Sequence, residues 1–508
     1  MVKLAATLLL LYSALGATEP NEVTRRWWSY TQALANDKMS GREAGTQGYE
    51  QAEEFALQQF TRAGLSPAGT NGFKQPVPLH SLKLQPEASP VRILRPQGAT
   101  KLNWFRQVTV AIRPDQPKHI AGSLYFVGDP ASAETEKVAG AVVVQLGLPR
   151  IRKPGGAAAA KLPDGAAAVI TIDSLAGPEP PIWPLPYAAA VLLRDGSAHV
   201  PATTPESSVA LRFNPAEAEV LFAGSGHSLA EIKTKLERGD TLPNFSLIGT
   251  LEADLTVKER EFTSDNVLAV LPGSDPKLRG EYVVLSAHLD GYGLGEARHG
   301  DSIYNGAFDD AAYVALLMDL AQSIHDSGRG LKRSLLFCIV TAEEKGLLGS
   351  RYFAAHPTVP KAQLVADLNL DQLRPIFPLK ILTTLGLKES TLGHAVTKVA
   401  ASMGIRIQPD PEPERNLLRR SDHFSFIQIG VPAVNFVFGY EKGSEDEKTY
   451  RAWYAERYHS PADDLQQPWV PEAAAKFNAF YSALVEEVAN APERPRWSEG
   501  SQFPAATH

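Results

Sequence analysis

The chain has a single cysteine in 508 residues, so no disulfide can form within it. Its core and any bound ions must hold it together. Cys338 sits in the apolar run Ser334-Leu-Leu-Phe-Cys-Ile-Val340 and reads as a buried small hydrophobe rather than a nucleophile. Blocks of like charge are also missing. A net charge of −7 with no basic stripe argues against a nucleic-acid partner. Beyond the N-terminus, no apolar run reaches the roughly 20 residues that span a bilayer, which argues against a stable membrane anchor. What is present is an ordinary globular composition, 44% hydrophobic and 21% charged. At this length a large unit plus a smaller one is expected.

The N-terminus supplies an address. Lys3 precedes an apolar run from Leu4 to Leu15, and Ala14-Leu15-Gly16-Ala17 offers small residues for cleavage. Residues 1–17 are therefore expected to be a signal peptide, and the mature chain to be exported, periplasmic or secreted. A lipid anchor would need a cysteine after the cleavage site, and Cys338 is too far away.

Residues 21–112 are expected to form the first part of a main domain. Within them a helical pattern carries Ala52, Phe55, Ala56 and Phe60 on one face and stops at Gly64. Across 113–240 short strands such as Gly140–Leu146 and Ala167–Ile172 alternate with Pro-, Gly- and Ala-rich connections, which predicts a β-rich insert. Residues 250–492 then run strand, loop, helix. Glu281–Ala287, Leu335–Val340, Leu364–Leu370 and Ala433–Phe438 read as buried strands. Asp310–Ser323 and the stripe Phe477, Phe480, Tyr481, Leu484, Val488 read as helices. This alternation predicts an α/β fold: a mostly parallel mixed sheet with helices on both faces and a site at the strands' carboxyl ends. Residues 493–508 are expected to be a flexible tail.

Five acidic and histidine stations fall at that expected edge. They are His288-Leu-Asp290, Asp309-Asp310, Glu343-Glu344, Asp371 and Tyr458-His459. Imidazole and carboxylate suit zinc, and two ions about 3.5–4 Å apart need a bridging carboxylate and activate a water between them. Two Zn²⁺ bring four positive charges. Asp309, Glu344 and Asp371 offset three of them and a bridging hydroxide can offset the fourth, which leaves Glu343 as a general base. Asp290 is expected to hold His288 through its second nitrogen, and the Tyr458 hydroxyl to donate to an oxyanion.

Taken singly, each station has an ordinary reading. Asp309-Asp310 suits a helix N-cap, Glu343-Glu344 a solvated helix start, and Asp371 a turn. Together they would need five unrelated coincidences at one sheet edge. His299 and His423 are expected at most to line the pocket, and Asp422 to shape it. Arg415, Arg419 and Arg420 are expected on the surface.

Ser286-Ala-His-Leu-Asp290, Gly300-Asp-Ser-Ile-Tyr-Asn-Gly-Ala-Phe-Asp-Asp310, Ala342-Glu-Glu-Lys-Gly-Leu-Leu-Gly-Ser350, Asn369-Leu-Asp371, Ser421-Asp-His423 and Tyr458-His-Ser-Pro461 together resemble the M28 family of metallopeptidases. The likeness extends upstream to Gly41-Arg42, and the middle segment looks like a protease-associated (PA) domain. The resemblance implies the zinc exopeptidase fold and two Zn²⁺ per chain. His459 and Glu344 would hold one ion and His288 and Asp371 the other, with Asp309 bridging and Glu343 as base. It also implies a peptide substrate and, first of all, aminopeptidase activity. One departure stands out: Tyr313 occupies a position near the start of the helix where the family has glycine.

Two other functions remain open at this point. A metallocarboxypeptidase on the same residues would need an arginine, such as Arg374 or Arg420, for the terminal carboxylate. A metal-free, receptor-like binding protein would use the insert and carry a vestigial crevice.

Overall fold

Four short apolar runs, buried on both faces, make the parallel centre of one sheet. Tyr282–His288 runs parallel to both Ser334–Val340 and Leu364–Asn369, and the latter parallel to Ala433–Gly439. The computed structural model that shows this describes residues 19–147, 162, 164–174, 181–196, 208–371 and 373–503. The expected signal peptide, 1–17, lies outside the described residues. Antiparallel strands flank the centre and make the sheet mixed. Val257–Leu271 pairs with Ser334–Val340 on one side, followed by Lys74–Leu84 and Ala189–Leu193. Ile381–Leu385 pairs with Ala433–Gly439 on the other side and leads to Arg406–Gln408.

Side chains alternate across a strand, so each central strand feeds two cores. Val283, Leu285, Ala287, Leu335, Phe337 and Ile339 join the core shared with the helices Gln47–Arg62, Ala312–Ser327 and Pro471–Asn490. Val284, Leu336, Cys338 and Val340 face Phe353 and Phe426, which belong to the helices Leu348–Ala355 and His423–Gln428. Cys338 is therefore buried, as expected, and burial pushes its thiol pKa up. Thr46 caps Gln47–Arg62 by accepting from the Tyr49 amide, and Gly64, at φ 74°, takes the left-handed turn that ends it. Among the described residues no helix is long and apolar enough to cross a membrane.

A second sheet of eight strands draws on residues from Val91–Arg95 to Asn244–Asp254 and has a core of its own. Ala189–Leu193, inside the span expected for the insert, pairs instead with Lys74–Leu84 of the first sheet. This carries the segment before it, with Tyr187, toward the carboxyl edge of the central strands.

The expectation of a flexible tail from 493 needs correction as far as residue 503. Trp497 donates its indole N–H to the Gly430 carbonyl at 3.1 Å, and Ser501 donates to Glu389 at 2.6 Å. Trp497 and Phe503 pack their rings at 5.8 Å, so apolar burial holds a segment whose composition looks mobile. Residues 504–508 lie outside the described ones.

Candidate metal centre

Parallel strands end at one edge, and three stations sit there. His288 is the last residue of Tyr282–His288; Glu343-Glu344 and Asp371 follow the ends of Ser334–Val340 and Leu364–Asn369. Asp309 lies in the turn Ala307–Ala311 that leads into the helix Ala312–Ser327. His459 follows the helix Glu445–Glu456 and takes a left-handed φ of 53°.

The structure brings all of these together around Asp309. Its Oδ1 is 3.3 Å from His288 Nε2, and its Oδ2 is 3.4 Å from His459 Nε2. Glu344 also stands 3.4 Å from His459 Nε2, while Glu343 and Asp371 each lie 3.9 Å from His288 Nε2. Two groups result: His288, Asp309, Asp371 and Asp309, Glu344, His459. Within each, one ligand atom per residue lies within 4.8 Å of the others.

The second nitrogen of each ring is already engaged. His288 Nδ1 lies 3.0 Å from the Asp290 backbone carbonyl, and His459 Nδ1 3.0 Å from the Tyr292 hydroxyl. This corrects the expectation for Asp290, whose carboxylate stands 3.8 Å from His288 Nδ1. That carboxylate instead accepts from the Glu343 and Glu344 amides at 2.9 and 3.3 Å, tying two strand ends together. The N-cap expectation for Asp309-Asp310 also fails. Both residues precede the helix with non-helical backbone, and Asp310 accepts from the His288 amide at 3.2 Å.

Two buried arginines, to which no local sequence pattern points, complete the surroundings. Arg374 stands 3.5 Å from Asp309 Oδ2 and donates to the carbonyls of Phe308 and Asp371. Arg42 donates to the carbonyls of Leu289, Leu34, Asn305 and Gly306, which pins the Asp309 turn to the strand end at His288. Burial acts to raise the Asp309 carboxyl, but the close approach of the His288 and His459 rings and the Arg374 charge hold it well below the usual carboxylate range. Burial pushes Glu343 well above that range and Glu344 up to about 7.

This donor set fits a pair of divalent cations. His288 Nε2 and Asp309 Oδ2 are buried without a hydrogen-bond partner, and both rings direct the nitrogen left free toward carboxylates. Nitrogen and oxygen donors in this mixture suit zinc.

The sequence profile of peptidase family M28 matches residues 266–485. The chain carries a peptidase family M28 domain. Over 251 residues it is 27% identical to "probable leucine aminopeptidase 2" of Aspergillus oryzae, covering 46% of this chain and 47% of that protein. Over 175 residues it is 29% identical to carboxypeptidase Q of Rattus norvegicus, covering 34% and 33%. The chain thus spans about half the length, or less, of these relatives. The solved structure of BSAP, a zinc aminopeptidase from Bacillus subtilis, matches it with a TM-score of 0.59 at 16% identity. That match covers 96% of this chain and 99% of the other, and the likeness is one of fold.

Tyr458 stacks on His459 with ring centroids 3.6 Å apart, and both line a cleft of about 420 Å³ with Arg420, Ile182 and Leu185. Arg374 is fully buried, which removes it as a receptor for a substrate carboxylate. Arg415 is not a surface charge: it is buried and donates to Glu412 and to the Tyr450 hydroxyl at 3.0 and 3.2 Å. Arg419 stacks over Phe424 at 5.0 Å. Asp422 is buried rather than set in the cleft wall, and burial pushes its pKa up to about 7. His423 is buried as well, and burial lowers its pKa to about 3. His299 lies in a separate pocket with Arg298 and Asp301. Tyr313, where the resemblance implied glycine, sets its ring edge-on to Phe477 at 6.3 Å and so fills the space between two helices.

Proposed function

We propose that the chain is an exported dizinc exopeptidase, an aminopeptidase that removes residues from the N-termini of peptides. The observation that carries this reading is the Asp309 carboxylate, which turns one oxygen toward each histidine, as a bridging ligand must. His288, Asp309 and Asp371 would hold one ion, and Asp309, Glu344 and His459 the other. When bound, the ions polarise the scissile carbonyl and acidify the attacking water.

The chain's own residues do the rest. Glu343 takes the proton of the attacking water and returns it to the leaving amine. Asp290 orients His288 through its carbonyl and the Glu343 turn through its carboxylate. Tyr458, at the cleft, is assigned as the donor to the oxyanion. The apolar run Leu4–Leu15 supports export.

A carboxypeptidase on the same residues is the second reading, and the partial identity to carboxypeptidase Q is the observation that favours it. With Arg374 buried, Arg420 at the cleft is the cation left for a terminal carboxylate among the two considered. The complete ligand set speaks against a metal-free binding protein.

The deciding experiment compares hydrolysis of one peptide with a free and an acetylated N-terminus, each before and after chelation. The aminopeptidase reading expects cleavage of the free peptide alone, lost with chelator. Continued cleavage of the acetylated peptide would select the carboxypeptidase, and chelator-resistant hydrolysis would contradict both.

A further inference from the structure

The two halves of the centre are supported unequally. His288 and Asp371 are 0% and 2% exposed and are set at or just beyond the ends of central strands. His459, by contrast, is 29% exposed and stands on a loop. Something other than the sheet must hold it.

Tyr187, from the segment that leads into the strand Ala189–Leu193, is placed to do so. Its hydroxyl donates to the Tyr292 carbonyl at 2.9 Å, and the Tyr292 hydroxyl lies 3.0 Å from His459 Nδ1. Tyr292 packs its ring against His459 at 4.6 Å. On its other side the Tyr187 hydroxyl accepts from Lys345, the residue immediately after Glu344. The Lys345 ammonium lies 4.9 Å from the Tyr187 ring centre and 4.8 Å from that of Tyr292, and Lys83 lies 4.0 Å over Tyr187. Tyr187 thus touches the immediate supports of both Glu344 and His459, which share one half of the centre.

We propose that Tyr187 and Tyr292 form a brace for the Asp309–Glu344–His459 half, so that occupancy of that one metal position depends on the docking of segment 181–193. The inference rests on the two-metal reading above. An imidazole that ligates through Nε2 carries its proton on Nδ1 and donates it to Tyr292, which fixes ring direction and tautomer. Tyr187 acts one step behind, as a positioning residue. It holds the Tyr292 main chain in place and keeps Lys345, and with it the Glu344 turn, in register.

The test is zinc binding to the metal-stripped full chain, by competition with a chromogenic chelator, which reads two dissociation constants independently of activity. Tyr292→Phe is expected to raise one constant by about 10–100-fold, the usual effect of removing the partner of a ligating histidine. Tyr187→Phe, which keeps the ring, is expected to raise the same constant by about 10-fold and to leave the other within about twofold. In a His459→Ala background, which retains only the His288 position, Tyr187→Phe is expected to change nothing. Two unchanged constants in Tyr187→Phe, equal weakening of both, or weakening of the remaining position in His459→Ala would overturn the brace. A wild-type chain that binds fewer than two zinc ions would overturn the two-metal reading itself, and the brace with it.

Discussion

Arg374 faces Asp309 across 3.5 Å, a buried guanidinium set directly behind the carboxylate that both histidines approach. Asp309 therefore stays ionised in a site that also holds Glu343, Glu344 and Asp371. Arg374→Gln removes this counter-charge and bonds to the carbonyls of Phe308 and Asp371. Loss of one partner from a buried pair costs about 3–5 kcal/mol. Urea denaturation of the metal-free protein is expected to show a loss of that order, and a change below about 1 kcal/mol would assign Arg374 no such part.

Glu343→Gln keeps the size of the side chain and removes the proton acceptor. With both metals retained by elemental analysis, the turnover rate is expected to fall by about 10²–10⁴-fold. Near wild-type turnover would exclude Glu343 as the base.

His423 gives a pH dependence with a definite sign. Its pKa is about 3 in the folded chain, through burial, against an ordinary 6.5, so between these values the unfolded state binds more protons. This contribution is neutral above pH 6.5 and destabilises the fold progressively as pH falls toward 3. At pH 5 it amounts to about 2 kcal/mol. The stability difference between pH 7 and pH 5 should shrink by about that amount in His423→Leu, whatever the variant's absolute stability. An unchanged difference would show that His423 does not titrate in this way.

Tyr313, where the family resemblance leads one to expect glycine, is buried against Phe477. Tyr313→Ala would leave a cavity between two helices and is expected to cost about 3–5 kcal/mol, comparable to other large-to-small aromatic changes. A thermal midpoint equal to wild type would mean that the helix closes over the space. Because Asp309 precedes the helix and is held by Arg42 and Arg374, zinc stoichiometry is expected to survive this change.

The parallel strands and the clustering of the acidic and histidine stations were legible because both depend on local signals. Short apolar runs mark Tyr282–His288 and Ser334–Val340, and the polar residues at their carboxyl ends share one edge. What the sequence hid were the relations made across the fold. Asp290 reads as a partner for His288 through its carboxylate, yet its carbonyl makes that bond while the carboxylate reaches the next strand end. Tyr292 and Tyr187 are 105 residues apart, and no local pattern announces their bond. Arg374 reads as a possible receptor for a terminal carboxylate and Arg415 as a surface charge because aromatic burial is not visible in a one-dimensional pattern; Trp453 covers the first, and Tyr450 and Tyr454 the second. The tail beyond 493 misled for the same reason, since Trp497 and Phe503 find their pocket only in three dimensions.

The central claim is a pair of metal positions sharing Asp309, and metal counting tests it most directly. Elemental analysis of wild-type protein purified without chelator should give two zinc equivalents per chain, lost together with peptide hydrolysis on chelation and restored by zinc. The Asp309→Ala variant should hold fewer than one. Fewer than two equivalents in the wild type, or two equivalents retained in Asp309→Ala, would contradict the account.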